Sequence, residues 1–372
     1  MKTYYKIFLL QICILSCCSR VDTYYSPSEL KSYEGGLNHE TLSCERVALD
    51  STIIPIGVEC IDDKVVLFTE NKDALVTVLL STNDSIISQF CRLGHAKDEF
   101  TSHFRMCQFS SDGKGVFMYI PDFYQNCVKE IDFNKSVETN HVKIIRSIKY
   151  KHDDRISLTT YYYQLINEDG LLYQGLTTDG DARDAYSIPP SIKIYNENDE
   201  HSISLYPKVI SGDNSIVNLA YKSLLRINPQ QTKIVEALAF QNVFSIYSLN
   251  DYKTIGVCGE EGAEFERFSH LAQNGSFDSA MEKIKIHNIF CNVSNDYIFI
   301  GQDGTLRLSE YESIVNSHPL IRIFDWDGNL LYSFKINEPV MCVAYNEKTK
   351  KLYGIDNDGS LYAYDLSTHI SK

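Results

Sequence analysis

Residues 321–331 read Ile321-Arg322-Ile323-Phe324-Asp325-Trp326-Asp327-Gly328-Asn329-Leu330-Leu331, and this stretch decides the fold class. Two short runs of β-branched and apolar residues stand on either side of a polar turn, which is the pattern of a β-hairpin. Asp327 and Gly328 can occupy the positive-φ positions of a tight turn. A second hairpin follows, where Asp356-Asn357-Asp358-Gly359 separates two more strand-like runs. The C-terminal part of the chain is therefore predicted to consist of antiparallel strands.

The same pattern returns along the chain at a regular distance. Equivalent strand positions are 51 residues apart between Val65 and Val116, 55 between Val116 and Leu171, and 54 between Ile298 and Leu352. A period of this size, with four strands in each unit, is typical of a β-propeller blade. We therefore predict an all-β chain in which residues 41–372 form one β-propeller domain of four-stranded antiparallel blades.

The number of blades depends on an additional strand pair at residues 243–247 and 254–258. If this pair belongs to the fourth or fifth unit, the propeller has six blades, a count that suits a domain of roughly 330 residues at this period. If the pair is a blade by itself, the count is seven. The sequence favours six blades and leaves seven open.

The N-terminus carries the signals of an exported lipoprotein. Lys2 and Lys6 precede an apolar run over residues 7–15, which is too short to cross a bilayer but suits a secretory signal peptide. The run ends in Ile14-Leu15-Ser16-Cys17-Cys18, which resembles the lipobox of bacterial lipoproteins. The small Ser16 favours Cys17 as the lipidated residue, with Cys18 as the alternative.

The organisation predicted from these signals has three parts. Residues 1–17 are a lipoprotein signal peptide, residues 18–40 are a polar tether, and the propeller follows. An acyl anchor attaches a protein to a membrane without spanning it. We therefore expect a membrane-anchored lipoprotein of the bacterial cell envelope, on its periplasmic or surface face, with the membrane as a partner.

The chain also resembles the TolB-like six-bladed propeller lipoproteins of Bacteroidetes. The resemblance rests on the lipobox, on Arg92-Leu93-Gly94-His95-Ala96-Lys97-Asp98-Glu99-Phe100, and on the last two repeats. Gly94, Glu99 and Phe100 match the family's turn, whereas Ala96 stands where a second glycine is expected. Residues 180–290 match poorly. The resemblance implies the fold and the anchoring, and the family has no general activity to carry over.

Charge and composition exclude some classes of partner. Without Lys2 and Lys6, the chain has 33 basic and 49 acidic residues, a net charge of −16. Such a surface repels phosphate backbones, so no nucleic-acid partner is expected.

The cysteines beyond the lipobox form no CxxC pair and stand mostly in apolar stretches, which favours buried free thiols over one or two disulfides. They are Cys44, Cys60, Cys91, Cys107, Cys127, Cys258, Cys291 and Cys342.

No motif of catalysis or cofactor binding is present, so no catalytic residue, metal ligand or cofactor is predicted. The cluster His152-Asp153-Asp154 is best explained as a solvated turn. The acidic loop Asp179-Gly180-Asp181-Ala182-Arg183-Asp184 fails as an EF-hand, because Arg183 stands at a ligand position. It leaves open only a looser calcium site, and an acidic loop between blades is the simpler interpretation.

Aromatic residues and one long loop are the remaining candidates for recognition. Tyrosine clusters occur at residues 161–163, 119–124 and 362–364, where packing between blades is favoured over ligand contact. Residues 259–285 are predicted to carry a short helix over one face of the ring. The sequence therefore favours a non-enzymatic binding protein for a glycan, a peptide or a partner protein. The alternative is a metal-assisted hydrolase or lyase with its site at the propeller axis.

Overall fold

The computed structural model describes residues 24–33, 39–111, 113, 115–125, 127–149, 162–165, 171–175, 191–196, 199–203, 205–208, 210–260 and 262–370. Side chains are described for these residues except for the strands between 162 and 202, Phe123 and Glu312. No helix in this part of the chain is long and apolar enough to span a membrane.

The first three strands form no sheet of their own. They are β1 (Glu29–Ser32), β2 (Glu40–Thr41) and β3 (Cys44–Val47). Each adds to the outer edge of a sheet that later residues form.

Blades 1 and 2 are consecutive antiparallel sheets, each read here from the innermost strand outward. Blade 1 contains β4 (Pro55–Ile61), β5 (Lys64–Thr69), β6 (Val76–Leu80) and β7 (Ser85–Phe90). The short parallel pair β8 (Arg92–Leu93) and β9 (Glu99–Phe100) follows. Blade 2 contains β10 (Gln108–Ser111), β11 (Val116–Asp122), β12 (Cys127–Asp132) and β13 (Ile144–Lys149), with helix α1 (Phe133–Thr139) before β13.

Blades 3 and 4 repeat this order. Blade 3 contains β14 (Tyr162–Leu165), β15 (Leu171–Gly175), β16 (Ser191–Asn196) and β17 (Asp199–Ile203). Helix α2 (Asn214–Tyr221) connects it to blade 4. Blade 4 contains β18 (Ser223–Ile227), β19 (Lys233–Leu238), β20 (Val243–Ser248) and β21 (Thr254–Cys258), and β1 pairs with β21 in parallel as a fifth strand.

Blades 5 and 6 complete the ring. Helices α3 (Phe265–Asn274) and α4 (Phe277–Met281) lead into blade 5, which contains β22 (Asn288–Val293), β23 (Tyr297–Gln302), β24 (Leu320–Asp325) and β25 (Leu330–Lys335). A 3-10 helix covers Leu308–Asn316, and β2 pairs with β25 in parallel. Blade 6 contains β26 (Val340–Asn346), β27 (Lys351–Asp356) and β28 (Leu361–Asp365), and β3 is its outer strand.

The core lies between neighbouring sheets, as a propeller requires. Buried apolar side chains of blades 1 and 2 form one cluster, and similar clusters join blades 4 to 5, 5 to 6, and 6 to 1. Alternation along each strand sends one row of side chains to each neighbour, which explains the β-branched and aromatic composition. Because β3 comes from the N-terminal part of the chain and completes blade 6, it joins the two ends of the sequence in one sheet.

The all-β propeller with four-stranded antiparallel blades is confirmed. Six sheets have four or five strands, five of them described with side chains and blade 3 by its backbone pairings alone. The seven-blade alternative is wrong for the described chain, because the additional strand pair is β20 and β21 within blade 4. The turn predicted at Asp327 and Gly328 is present. Gly328 has a φ of +80°, whereas Asp327, for which a positive φ was also predicted, does not have one.

Part of the predicted tether belongs to the folded domain. We call residues 24–33 the strap. Tyr24, Tyr25 and Tyr33 are buried in it, and its strand β1 covers the outer edge of blade 4. The Tyr24 hydroxyl lies 2.9 Å from Ser269 Oγ of α3. Within the range 18–40, residues 24–33 and 39–40 therefore pack or pair against the propeller.

The two ends of the ring differ in their connections. At one end, here called the hairpin end, the first strand of each blade turns into the second through two to five residues in blades 1, 4, 5 and 6. At the other, the cap end, long connections carry α2, α3, α4 and the 3-10 helix. The helix predicted over residues 259–285 is confirmed by α3 and α4.

Candidate functional site

A cavity of about 680 Å³ opens at the hairpin end, where the innermost strands of several blades turn. We call it the axial funnel. Its lining comes from four blades: residues 60–64 of blade 1, Pro229 of blade 4, residues 293–297 of blade 5, and residues 345–348 with Lys350 of blade 6. The volume lies within the range of small-molecule sites.

Side-chain hydrogen bonds hold neighbouring turns of the funnel together. The buried Asn346 donates from Nδ2 to the Asp62 carbonyl over 3.0 Å, which joins blade 6 to blade 1. Glu347 accepts from the backbone nitrogen of Asn295 over 2.7 Å and from its Nδ2 over 2.6 Å, which joins blade 6 to blade 5. The rim is therefore preorganised by contacts between turns.

The rim carries charges of both signs. Asp63 accepts from Lys64 over 2.8 Å and from Lys348 over 3.3 Å. The hydrogen bond from Lys64 is the main reason that the pKa of Asp63 lies below its usual value. Asp63 is thus a paired anion at neutral pH, and the two lysines are drawn to the blade 1 side of the funnel.

Tyr345 lines the funnel and carries a buried polar atom. The residue is 4 % exposed, and its ring packs on Phe299 and Tyr297 at centroid distances of 5.2 and 6.2 Å. Its hydroxyl has no hydrogen-bond partner among the described residues. Burial, together with the nearby Tyr297, Glu347 and Asp296, raises the pKa of this hydroxyl, so it is a neutral donor. A buried hydroxyl without a partner costs free energy unless a ligand or water satisfies it.

A group of side chains joined by non-covalent contacts lies below the funnel, one residue further from the hairpin end along strands that line it. Glu59 Oε1 is 3.8 Å from Arg226 NH2, and Asn292 Nδ2 donates to Glu59 Oε2 over 3.1 Å. Arg226 also contacts Met106 Sδ over 3.2 Å from NH1. We call Glu59, Arg226, Asn292 and Met106 the axial cross-link. It joins blades 1, 4 and 5 and the segment before blade 2.

The charged side chains of the axial cross-link are paired with each other, which favours a structural role for this contact. Burial raises the pKa of Glu59, while Arg226 and the Asn292 hydrogen bond act in the opposite direction. Glu59 is the carboxylate of the axial cross-link, and it is already paired with Arg226 and Asn292. No described group of three histidine, cysteine, aspartate or glutamate residues has a metal-binding arrangement.

The thiols near the axis are protonated at neutral pH. Burial raises the pKa of Cys342 and Cys291 to about 12 and that of Cys60 and Cys107 well above the usual value. Neutral thiols are poor nucleophiles. The eight cysteines predicted as buried thiols form no disulfide among the described residues, and four of them are buried and four half-buried.

The segment 92–100, on which the family resemblance rests, has a structural role. A Cβ at Gly94 would come within 2.0 Å of Glu99 Oε2, and that carboxylate accepts from the Ala96 backbone nitrogen over 2.9 Å. The buried Phe100 stacks under Lys129, whose Nζ is 3.0 Å from Asp122 Oδ2. This turn fastens the connection between blades 1 and 2.

Several candidates from the sequence lie elsewhere. Cys17, Cys18, His152-Asp153-Asp154 and the acidic loop at 179–184 are outside the described residues. Tyr119 and Tyr364 are buried, as packing between blades predicts, whereas Tyr124 is 80 % exposed. Sequence reasoning missed Tyr345, Asn295 and Glu347, although their position next to short polar turns was readable.

Comparisons with known proteins show the fold. No family model matches the chain, and no curated protein matches it. Two crystal structures are similar, each with a TM-score of 0.55. One is a presumed exported protein from Bacteroides fragilis, 9 % identical, with 90 % of this chain and 98 % of that chain covered. The other is a member of the DUF4221 family from Bacteroides vulgatus, 10 % identical, with 88 % and 98 % covered.

Proposed function

We propose that this chain is an exported, lipid-anchored propeller of six blades that binds a glycan in the axial funnel without catalysing a reaction on it. Export and anchoring rest on the signal sequence and on lipidation at Cys17, with Cys18 as the alternative. The similar Bacteroides fragilis protein is also described as exported. The TolB-like resemblance supports the same compartment and the six-blade count.

The Tyr345 hydroxyl carries the binding proposal. It is buried in the funnel wall without a partner, so a ligand that accepts its hydrogen bond recovers the free energy that burial costs. The neighbouring Asp296 and Glu347 supply acceptors for ligand hydroxyl groups. Tyrosine rings with carboxylate and amide oxygens suit a sugar, which presents apolar ring faces and many hydroxyls.

The test is saccharide binding by the purified protein, first by thermal shift over a saccharide library and then by calorimetry. Tyr345→Phe removes only the unpaired oxygen and is expected to weaken binding about 5- to 10-fold, the loss of one hydrogen bond. Tyr353→Phe is the matched control, because that buried hydroxyl is bonded to the Ser81 carbonyl and Asp84 outside the funnel.

Unchanged affinity of Tyr345→Phe would contradict the role of the funnel. Binding of short peptides in place of saccharides would keep the funnel as the site and change the ligand class.

Anchoring has its own test. Changing Cys17 and Cys18 together to serine is expected to release the protein from membranes, measured by fractionation of cells that express it. Continued membrane retention of the double variant would contradict the lipid anchor.

A further inference from the structure

We infer that a second ligand site lies on the outer part of the ring, where blade 5 faces blade 4, and that it binds a dianionic phosphate group. Its residues are His39, Arg322, Ser333 and Lys335, which we call the basic cleft. The basic cleft is separate from the axial funnel, and the inference depends neither on the lipid anchor nor on glycan binding.

Strand pairing places these residues on one face of blade 5. Arg322 of β24 lies directly opposite Ser333 of β25, and Lys335 is two residues further along β25, so the three side chains lie on the same side of the sheet. This side faces blade 4, because Phe324, two residues after Arg322, belongs to the apolar cluster that joins blades 4 and 5. His39 Nδ1 lies 3.0 Å from Ser333 Oγ, which adds the imidazole to the group.

Arg322 is held in place by neutral groups. Its NH1 donates to the Tyr33 hydroxyl over 2.9 Å and to Gln302 Oε1, and its guanidinium carbon lies 4.7 Å from the centre of the Tyr33 ring. Its Nε is buried and has no hydrogen-bond partner among the described residues. A cation that loses water on folding normally gains an anion in exchange. The guanidinium of Arg322 is therefore fixed in position, and its charge is left for an anion.

The neighbours of Arg322 add positive charge. Burial, and then the charges of Arg322 and Lys335, lower the pKa of His39, and no carboxylate in the described part of the chain opposes them there. Glu40, the next residue, turns to the other face of the sheet, where its Oε2 lies 3.5 Å from His369 Nδ1. The basic cleft thus brings two permanent cations together in a chain whose formal net charge is −14.

The kinds of donor in the basic cleft suit a phosphate group. A guanidinium, an ammonium, an imidazole and a hydroxyl meet there from two strands and the segment before β2. A tetrahedral phosphate presents acceptor oxygens in several directions, whereas a carboxylate presents two in one plane. Two fixed cations also balance the charge of a phosphate monoester, which is close to −2 at pH 8. A diester carries one negative charge and is expected to bind more weakly.

The experiment is calorimetry of the purified protein at pH 8 and constant ionic strength. The probes are inorganic phosphate, glycerol phosphate, dimethyl phosphate and acetate. Inorganic phosphate and glycerol phosphate are expected to bind one per chain, and dimethyl phosphate and acetate about 5-fold more weakly or less. No binding of inorganic phosphate would overturn the site. Acetate binding as tight as that of phosphate would overturn the assignment to a phosphate group.

Two variants of the basic cleft and one control locate the binding. Lys335→Met removes an exposed cation and is expected to weaken phosphate binding about 5-fold, and Arg322→Met should weaken it about 10-fold or more. Lys253→Met makes the same change of charge at an exposed lysine that pairs with Asp251 in blade 4, and it should leave the affinity unchanged. Equal weakening by Lys335→Met and Lys253→Met would show that net charge alone attracts phosphate, which would overturn the site. Because Lys335 is exposed, this comparison holds even if Arg322→Met fails to fold.

A further variant tests whether the chain supplies the anion itself. Glu34 follows Tyr33 directly in the sequence. Glu34→Gln is expected to leave the affinity for phosphate within about 2-fold of the native value, which supports a site for an external ligand. Phosphate binding by Glu34→Gln combined with none by the native protein would assign the charge of Arg322 to the chain's own carboxylate and overturn the proposal.

Discussion

The two ends of the ring use opposite kinds of connection. At the hairpin end, short turns such as Asp62-Asp63 and residues 294–296 leave a cavity lined by both polar and apolar groups. At the cap end, long connections fold into helices that bury apolar side chains, and Phe265, Tyr206 and Tyr221 pack with Tyr25 of the strap. Long loops in propellers are the usual place to look for function. Here the described long connections serve mainly to cover the core, and the short turns form the cavity.

The substitution with the largest expected effect on the free energy of unfolding lies at the cap end, and it tests this contrast most strongly. Phe265 is fully buried, with its ring 5.6 to 5.8 Å from those of Tyr25, Tyr206 and Tyr221. Phe265→Ala is expected to lower the free energy of unfolding by about 3–5 kcal/mol, measured by urea denaturation, because it leaves a cavity among large rings.

Tyr311→Ala is the matched control, since Tyr311 is an exposed aromatic residue at the same end. It should change the free energy of unfolding by less than about 0.5 kcal/mol. A small effect of Phe265→Ala on stability combined with a large one on ligand affinity would reverse the roles given to the two ends.

The second largest effect on stability is expected at the axial cross-link below the funnel. Arg226→Ala removes the cation that opposes burial at Glu59, so the pKa of Glu59 rises further in the folded state. We expect a loss of about 3 kcal/mol at pH 8, because breaking a buried pair leaves an uncompensated charge. A group whose folded pKa is raised favours folding at low pH, and this contribution is lost as pH rises through the folded pKa. The defect should therefore shrink as pH falls from 8 toward the ordinary pKa of glutamate.

Urea denaturation at several pH values measures this dependence. The double variant Glu59→Gln with Arg226→Met removes both charges and should show a smaller loss with little dependence on pH. A defect of Arg226→Ala that is constant from pH 8 to pH 5 would show that Glu59 is not an unpaired buried anion in that variant.

The sequence was sufficient for the architecture because each blade carries its own local signal. Alternating apolar residues around Asp327-Gly328 or Asp356-Asn357-Asp358-Gly359 define hairpins without reference to the rest of the chain. The assignment of β20 and β21 to blade 4 was ambiguous for a physical reason. Four equivalent strands look alike in sequence, and only pairing partners such as Phe244 with Val257 decide which sheet they join.

The strap and the funnel could not be predicted from the sequence, because they depend on contacts between residues that are far apart in the chain. Residues 24–33 read as a turn-rich tether, because their partners, such as Ser269 and Thr254, are more than 220 positions away. Tyr345 reads as an ordinary strand tyrosine, since its unpaired hydroxyl becomes visible only when blades 5 and 6 are placed side by side. Sequence patterns predict which residues form strands, but the closure of the ring determines which polar atoms meet.

The smallest expected change in stability comes from a comparison of two buried tyrosines of blade 6, which differ in the partners of their hydroxyl groups. Tyr353→Phe is expected to lower the free energy of unfolding by about 1–2 kcal/mol, because the Ser81 carbonyl and Asp84 lose a hydrogen bond. Tyr345→Phe removes an oxygen that has no described partner, so the free protein should be as stable as the native one or slightly more stable. Chemical denaturation without ligand measures both. With saturating ligand, Tyr345→Phe should also become less stable than the native protein, because it loses the hydrogen bond to the ligand, whereas the loss in Tyr353→Phe should stay the same. A loss of stability in ligand-free Tyr345→Phe equal to that of Tyr353→Phe would mean that the protein itself satisfies this hydroxyl. The funnel would then lack the unsatisfied donor on which ligand binding is argued.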